Sequence, residues 1–352
     1  MMRAMSTNNT AKPMGADTPS AVTLLDVARA AGVSKSTVSR VLDERIPPSR
    51  SATARRVREV ANELGYRRNT YASNLRRGAT ATIGVVVPRL SDTVMALMFE
   101  AIERAALRRG YFAIVATSGD EPADEAAAAS TLLDRNVDGL ILASSRIDDP
   151  LPQQLRKDRV AHALVLRTDG KSPSVIGDDE AGGYLAVRHL VDLGHRDIGV
   201  LSGPLFTSSA TGRLAGARRA LSEAGLTVPS DRFIESGYGI EDGAQAARTL
   251  LTDPEARPTA VFCANDNLAI GAMSAAHELS LAIGTDLSLI GYNDIPLAAR
   301  LPTPLTSVRT AFDTIAAEAL AIVLQPDPGQ PLVRTVLPTL IPRNSTRPFA
   351  RP

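Results

Sequence analysis

After a polar leader, the chain reads as a short all-α head followed by a long α/β body of two parallel sheets, each covered by helices. Three observations predict this. Apolar residues between Thr23 and Gly65 recur at the helical period. From Thr82 onward, short apolar runs alternate with amphipathic stretches, the rhythm of strands buried on both faces. About 270 residues of that rhythm suit two sheets side by side better than one very large one.

The head comes first in the chain. Leu24, Val27, Ala28 and Ala31 share one face of a first helix, and Gly32 suits the left-handed backbone of a sharp inter-helix turn. Ser34 is placed to cap a second helix with Val38, Val41 and Leu42 turned inward. Its outer face presents Lys35, Ser36, Ser39 and Arg40, short polar or basic groups of the kind that reach base edges and phosphates. Val57, Val60, Ala61 and Leu64 define a third helix that Gly65 ends. A plain αα-hairpin has the same apolar spacing, but it has no need of that polar outer face.

Charge separates the two parts. Residues 21–80 carry twelve Lys/Arg against five Asp/Glu, and residues 81–352 carry 25 against 32. A basic head on an acidic body points to a polyanion partner for the head alone. The body's strands are expected at 83–87, 112–116, 139–143, 163–166, 198–201, 259–263 and 287–292. No G-x-G-x-x-G or G-x-x-x-x-G-K-S/T string occurs, so no nucleotide cofactor is indicated, and no cofactor of any kind is expected. The six-residue gap between His189 and His195 puts them on different faces, as surface or capping residues, and Cys263 is the only cysteine, so no metal site is expected. No Gly-x-Ser-x-Gly elbow frames a serine, and Asp178-Asp179 fits a helix N-terminus better than acid/base chemistry. The expectation is therefore a non-enzyme.

The string TLLDVARAAGVSKSTVSRVLD, residues 23–43, resembles the opening of the LacI/GalR family of repressors. By that resemblance Lys35, Ser36 and Arg40 occupy base-reading positions, Thr37 and Ser39 contact phosphates, and Thr23 and Ser34 belong to the same DNA-facing set. The next stretch, from Tyr66 to Gly78, is similar to the family's hinge helix, which Asn69 would cap. Leu75 falls where a leucine wedges into a minor-groove step and kinks the duplex. Arg68 stands where the family usually has proline, and losing that fixed φ loosens the hinge off DNA. A simple linker with an incidental leucine is the plainer alternative.

The resemblance runs on to Arg343-Asn344-Ser345-Thr346, carried by DDEAGGYLAVRHLVDLGHRDIGVLSGP, ANDNLAIGA and GTDLSLIGYNDI. These strings are similar to the family's effector domain, which has the fold of periplasmic sugar-binding proteins. The implied organisation is a disordered leader at 1–20, a helix-turn-helix domain at 21–67, a hinge and linker at 68–81, and a tail at 346–352. Between linker and tail lies an effector domain at 82–345. One lobe spans about 82–178 with 310–337, the other about 179–309 with 338–345.

Ligands in such folds sit beyond the carboxyl ends of the strands, between the lobes. Arg213 matches an arginine that holds sugar hydroxyls or a ligand carboxylate. Asn265, Asn293 and Asp294 follow strand ends, with Asn293 where the family often has Asp. Tyr238 stands where an aromatic stacks on a sugar face, and Phe312 lies in the last crossover. Asp92 and Met95 begin a helix where the family shows an Asn-Pro-Phe-Phe-like run, and Arg167 ends a strand facing a prospective anion. Each position also fits a structural part, capping a helix or pairing at the lobe interface. The implied protein is a cytoplasmic homodimeric transcription regulator, expected to be a repressor. Its partners would be a near-palindromic double-stranded operator and a small effector, a sugar or related metabolite, with no membrane. A transport receptor for solutes would share the body but has no use for the head.

Overall fold

The computed structural model describes residues 22–43, 47–66, 80–227, 229–325 and 332–349. The chain forms two compact units, Met1–Gly78 and Ala79–Pro352. The leader, Arg68, Asn69 and Leu75 lie outside the described residues, and with them the expected hinge.

In the first unit, α1 (Leu24–Ala31), α2 (Lys35–Val41) and α3 (Ala52–Glu63) surround one small core. Val27, Ala28, Ala31, Val38, Val57 and Ala61 are buried there. Each buried valine contributes roughly 1.5–3 kcal/mol and each alanine less, so local capping matters. Thr23, Ser34 and Ser51 cap the three helices, accepting from the backbone N–H groups of Asp26, Thr37 and Ala54. Such caps are worth ~1 kcal/mol each. Asp26 completes a capping box, and the Thr23 hydroxyl and N–H hold its carboxyl below the usual range. Gly32, at φ 67°, turns the chain from α1 to α2. Leu64, assigned inward by its spacing, is instead exposed, because α3 ends at Glu63 and the next residue begins the turn.

In the second unit, lobe 1 is a six-stranded parallel sheet. Its strands are β1 (Thr82–Val87), β2 (Phe112–Thr117), β3 (Gly139–Leu142), β4 (His162–Val165), β5 (Ser174–Gly177) and β11 (Val333–Val336), in the spatial order β11-β5-β4-β3-β1-β2. Lobe 2 contains β6 (Ile198–Ser202), β7 (Phe233–Glu235), β8 (Ala260–Cys263), β9 (Ser288–Asn293), β10 (Thr306–Arg309) and β12 (Thr339–Ile341). Its order is β12-β10-β9-β8-β6-β7, and only the β10–β12 pair is antiparallel. The chain passes between sheets after β5, after β10 and after β11. Helices α4 (Thr93–Arg108), α5 (Pro122–Asp134), α6 (Pro150–Lys157) and α11 (Phe312–Leu324) belong to lobe 1. Lobe 2 carries α7 (Asp179–Asp192), α8 (Ser208–Glu223), α9 (Ile240–Leu251) and α10 (Asp266–Glu278).

The central strands β3 and β8 are buried at every residue, which explains their unbroken apolar runs, GLIL and AVFC. In lobe 2, α7 and α8 cross at backbone contact. A Cβ on Gly183 would overlap the Arg213 carbonyl, and one on Gly216 the Glu180 carbonyl oxygen. That closeness brings the start of α7 against the first turns of α8.

Two details depart from the sequence reading. Residues 346–349 pack on lobe 2 rather than trailing from it. Thr346 is buried beside Thr306 and His189, and the Phe349 N–H bonds the Leu193 carbonyl at 2.7 Å. His195 is buried rather than at the surface. Its ring bridges Thr259, Ser288 and the Arg347 carbonyl at 2.9–3.1 Å, and burial lowers its pKa.

Candidate functional site

The carboxyl ends of the strands face one another across the lobes around a small pocket of about 30 Å³. Lobe 1 supplies Asp92, Val94, Met95, Leu166 and Arg167; lobe 2 supplies Ser209, Arg213, Tyr238, Asn265 and Asn293. Each polar member stands at a strand end or in the first turns of a helix. Asp92 caps α4, and Asn265 caps α10. Ser209 and Arg213 sit four residues apart on α8, hence on one face. The turn out of β4 puts Leu166 at φ 63°, and the end of β9 puts Asn293 at φ 95°. Both are non-glycine residues in the left-handed region, a backbone cost that recurs at binding sites.

Arg213 is the most firmly held group. Its Nε donates to Asp179 Oδ1 at 2.8 Å and Nη1 to the Ala264 carbonyl at 2.6 Å, while Tyr292 lies 3.7 Å beneath the guanidinium. Burial opposes its charge, but the Asp179 carboxylate more than restores it and holds the guanidinium above its ordinary range. Five N–H groups less two leaves three for a ligand. Tyr238 donates to or accepts from Thr207 and Ser209 hydroxyls at 2.9 and 3.1 Å, which fixes its ring at the mouth of the pocket.

Asn265 is largely committed elsewhere. Its Oδ1 accepts from Leu268 N–H at 2.7 Å and its Nδ2 donates to the Tyr238 carbonyl at 3.1 Å. Asn293 accepts from the Thr310 hydroxyl at 3.1 Å through Oδ1, and among the described residues its Nδ2 donates to nothing. Arg167 donates to the Ser144 carbonyl at 3.0 Å and lies 5.6 Å from the Tyr238 ring. Asp92 accepts from Val94 N–H and, across the lobes, from Asn267 Nδ2 at 3.3 Å; burial raises its pKa.

Two residues expected at the pocket do not line it. Asp294 turns back into lobe 2, paired with Arg309 and Arg343 at 2.7 Å each. Its φ of 53° after that of Asn293 sends neighbouring side chains apart. Phe312, the first residue of α11, packs on the body's apolar core. In turn, Val94, Leu166 and Ser209 line the pocket without having been singled out, and Asp179 and Tyr292 support Arg213 from behind. Only the i, i+4 spacing of Ser209 and Arg213 was visible in the sequence.

A wider outer cleft of about 400 Å³ shares Asp92, Arg167 and Tyr238 with the inner pocket. The lobes also meet outside the pocket. Ile147 N–H bonds the Phe206 carbonyl at 3.0 Å, Arg146 lies 3.9 Å over the Phe206 ring, and Thr168 N–H reaches Ser208 Oγ at 2.8 Å. These contacts tie the lobes together beside the pocket, which opens toward the outer cleft. Among the described residues no group of three or more His, Cys, Asp or Glu side chains could hold a metal ion. No described helix is long and apolar enough to cross a membrane.

On the head, Lys35, Ser36, Ser39 and Arg40 are exposed along one side of α2, while Val38 faces the core. Ser34 Oγ lies 2.8 Å from both Ser36 Oγ and Thr37 Oγ1, so these hydroxyls form a small network at the start of α2. Thr37 is half-buried. Thr23 is exposed, its hydroxyl donating to Asp26.

Comparison with known proteins gives a consistent result. Residues 23–69 match the model for bacterial regulatory proteins of the lacI family, and residues 187–346 match the periplasmic binding protein-like domain. The HTH-type transcriptional repressor PurR of Vibrio campbellii is 32% identical over 306 residues, covering 86% of this chain and 91% of the relative. PurR of Escherichia coli O139:H28 is 33% identical, covering 86% and 89%. Among solved structures, a Lac repressor dimer bound to operator and the anti-inducer ONPF superposes with a TM-score of 0.81 at 30% identity, covering 93% of this chain and 99% of that one. A complex of the transcriptional regulator CelR with cellobiose superposes at 0.69 with 27% identity, covering 92% and 99%.

Proposed function

Because this chain belongs to the lacI family of bacterial regulatory proteins, we propose that it is a cytoplasmic repressor whose hold on an operator is set by a small ligand bound between the lobes. The observation that carries this reading is the coexistence of two features in one chain. One is a capped helix with a bare polar face, in a basic head. The other is a buried pocket rich in hydrogen-bond donors, in a separate unit. A transport receptor needs only the second.

The recognition helix α2 enters the major groove, with Lys35, Ser36 and Arg40 toward base edges and Thr37 and Ser39 toward phosphates. Thr23 and Ser34 lie at the N-termini of α1 and α2, where backbone N–H groups suit a phosphate. Asn69 and Leu75 belong to the proposed hinge, with Leu75 as the minor-groove wedge. In the body, Asp92, Met95, Arg167, Arg213, Tyr238, Asn265 and Asn293 form the ligand set. Bound ligand and operator each bias the angle between lobes, so each must alter the affinity of the other by the same factor. The solved relatives are in line with this, one holding an operator with an anti-inducer and another cellobiose.

A homodimer reading a near-palindromic site is the assembly we favour. The edge strand β2 supports it. Phe112 and nearby Leu107 are exposed at 65% and 59%, an apolar edge that a lone protomer leaves open to pairing.

Selection from a random duplex pool with full-length protein, at moderate salt, tests the reading. The expected outcome is a near-palindromic consensus bound by a dimer, with Arg40→Ala weakening it about 10-fold or more, as a lost base contact implies. Equal binding to every duplex, or a selected site unaffected by Arg40→Ala, sinks it.

A further inference from the structure

Resting on the reading that the inter-lobe pocket holds the effector, we propose that this effector is a carboxylate-bearing polyol of single-sugar size, with its carboxylate seated on Arg167. The balance of charge leads there. Arg213 is neutralised inside the protein by Asp179 at 2.8 Å. Arg167 is buried to 4% exposure, yet among the described residues it has one hydrogen bond, to a neutral carbonyl, and no ion pair. A buried guanidinium with four free N–H groups is costly unless an acceptor arrives to meet it.

Asp92 is the one carboxyl in the pocket lining, and it does not meet that need. Its Oδ1 is occupied by Val94 N–H and Asn267 Nδ2, and although its carboxylate acts on Arg167 at longer range, the two make no ion pair. The other uncommitted polar groups are also donors, namely three N–H groups of Arg213 and the Nδ2 of Asn293. Helices α4, α8 and α10 all begin at the pocket, adding the positive ends of three dipoles to the same space. A pocket lined by donors, with one buried guanidinium that no carboxylate contacts, selects an oxygen-rich ligand that brings its own carboxylate.

Size and charge narrow the class. The inner pocket alone is small, but it continues past Asp92, Arg167 and Tyr238 into the outer cleft of about 400 Å³, and that space suits one sugar-sized molecule. The one guanidinium without an ion pair matches a single carboxylate, whereas a phosphate dianion beside Asp92 would bring a further charge with no partner. The Tyr238 ring beside Arg167 offers a flat face for the carbon skeleton, and Arg213 and Asn293 donate to hydroxyls. The two arginines thus differ in what they hold, Arg167 the charge and Arg213 the hydroxyls.

Calorimetry on full-length protein tests this with matched pairs: D-gluconate and D-galacturonate, their neutral parents D-glucose and D-galactose, and the primary amides of both acids. D-Glucose 6-phosphate and adenine complete the panel. One of the acids is expected to bind about 10- to 100-fold more tightly than its parent and its amide, the margin of a charge-assisted pair. Arg167→Gln should erase that preference, and Arg167→Lys should keep part of it. The preference is a ratio within one protein, and the amide removes the same charge from the ligand side should Arg167→Gln not fold.

The proposal fails if neither acid binds, if a parent or amide matches its acid, if the phosphate ester is preferred, or if Arg167→Gln keeps the preference. Where a neutral member of the panel binds and shifts operator affinity, the pocket reading stands and only the anion is wrong. Where no member binds, both fall.

Discussion

The Arg213–Asp179 pair offers a sharp test of how the pocket is held. Both side chains are 7% exposed and meet at 2.8 Å, with Arg213 also on the Ala264 carbonyl and over the Tyr292 ring. Arg213→Met keeps most of the apolar stem but leaves Asp179 a buried charge without its cation. Breaking a buried pair in this way costs about 3–5 kcal/mol. With a urea slope of ~3 kcal/mol per M, the unfolding midpoint of the body should fall by roughly 1–1.7 M. The chain contains no Trp, so far-UV circular dichroism is the natural probe.

Adding Asp179→Asn to Arg213→Met removes the orphaned charge and should recover most of that loss, to within about 1–2 kcal/mol of the parent. Acid should narrow the deficit of the single variant as well. Burial already raises the Asp179 pKa with the arginine present, and removing the arginine raises it further. A folded value above the unfolded one means stability retained at low pH and lost as pH rises through the folded value. If the double variant loses as much as the two single variants together, the ion pair is not what holds these helices, and the reasoning fails.

Two further predictions concern the body. Glu125 is buried under Ser144 and Ser145, and burial, then the neighbouring Asp149, lifts its pKa to about 8. The stability it brings is therefore complete below its unfolded value of 4.5 and lost as pH rises through about 8. Glu125→Gln should flatten the fall of Tm between pH 5 and 8.5; an unchanged slope would show that another group titrates. Gly216→Ala drives a Cβ into the Glu180 backbone at the α7–α8 crossing, and should cost about 1–3 kcal/mol or more by urea unfolding. Unaltered stability would mean that the crossing yields freely.

The head was almost fully legible because its order is local. Caps at Thr23 and Ser34, a left-handed Gly32 and inward valines are each settled within a few residues of chain. The central strands were legible for a related reason. A strand covered on both faces must be apolar throughout, as GLIL and AVFC are. Five strands went unseen, β5, β7, β10, β11 and β12, because each is short and carries a polar residue, so none forms an unbroken apolar run. Thr306–Arg309, for instance, hides its polar Thr and Ser by bonding them to Ser345, Thr346 and Asp266 far along the chain.

At the pocket, resemblance to the family, position by position, was enough to nominate seven of the ten lining residues. They did not say which way a side chain turns or whose charge answers it. Asn293 and Asp294 are neighbours with similar chemistry, yet backbone torsions and two distant arginines send one into the pocket and the other away. Arg167 and Arg213 look alike in the chain, but only the crossing of α7 and α8 supplies a carboxylate to one and none to the other. Helix periods, caps and strand apolarity follow from neighbours in sequence; charge balance in a pocket depends on groups brought together from both lobes.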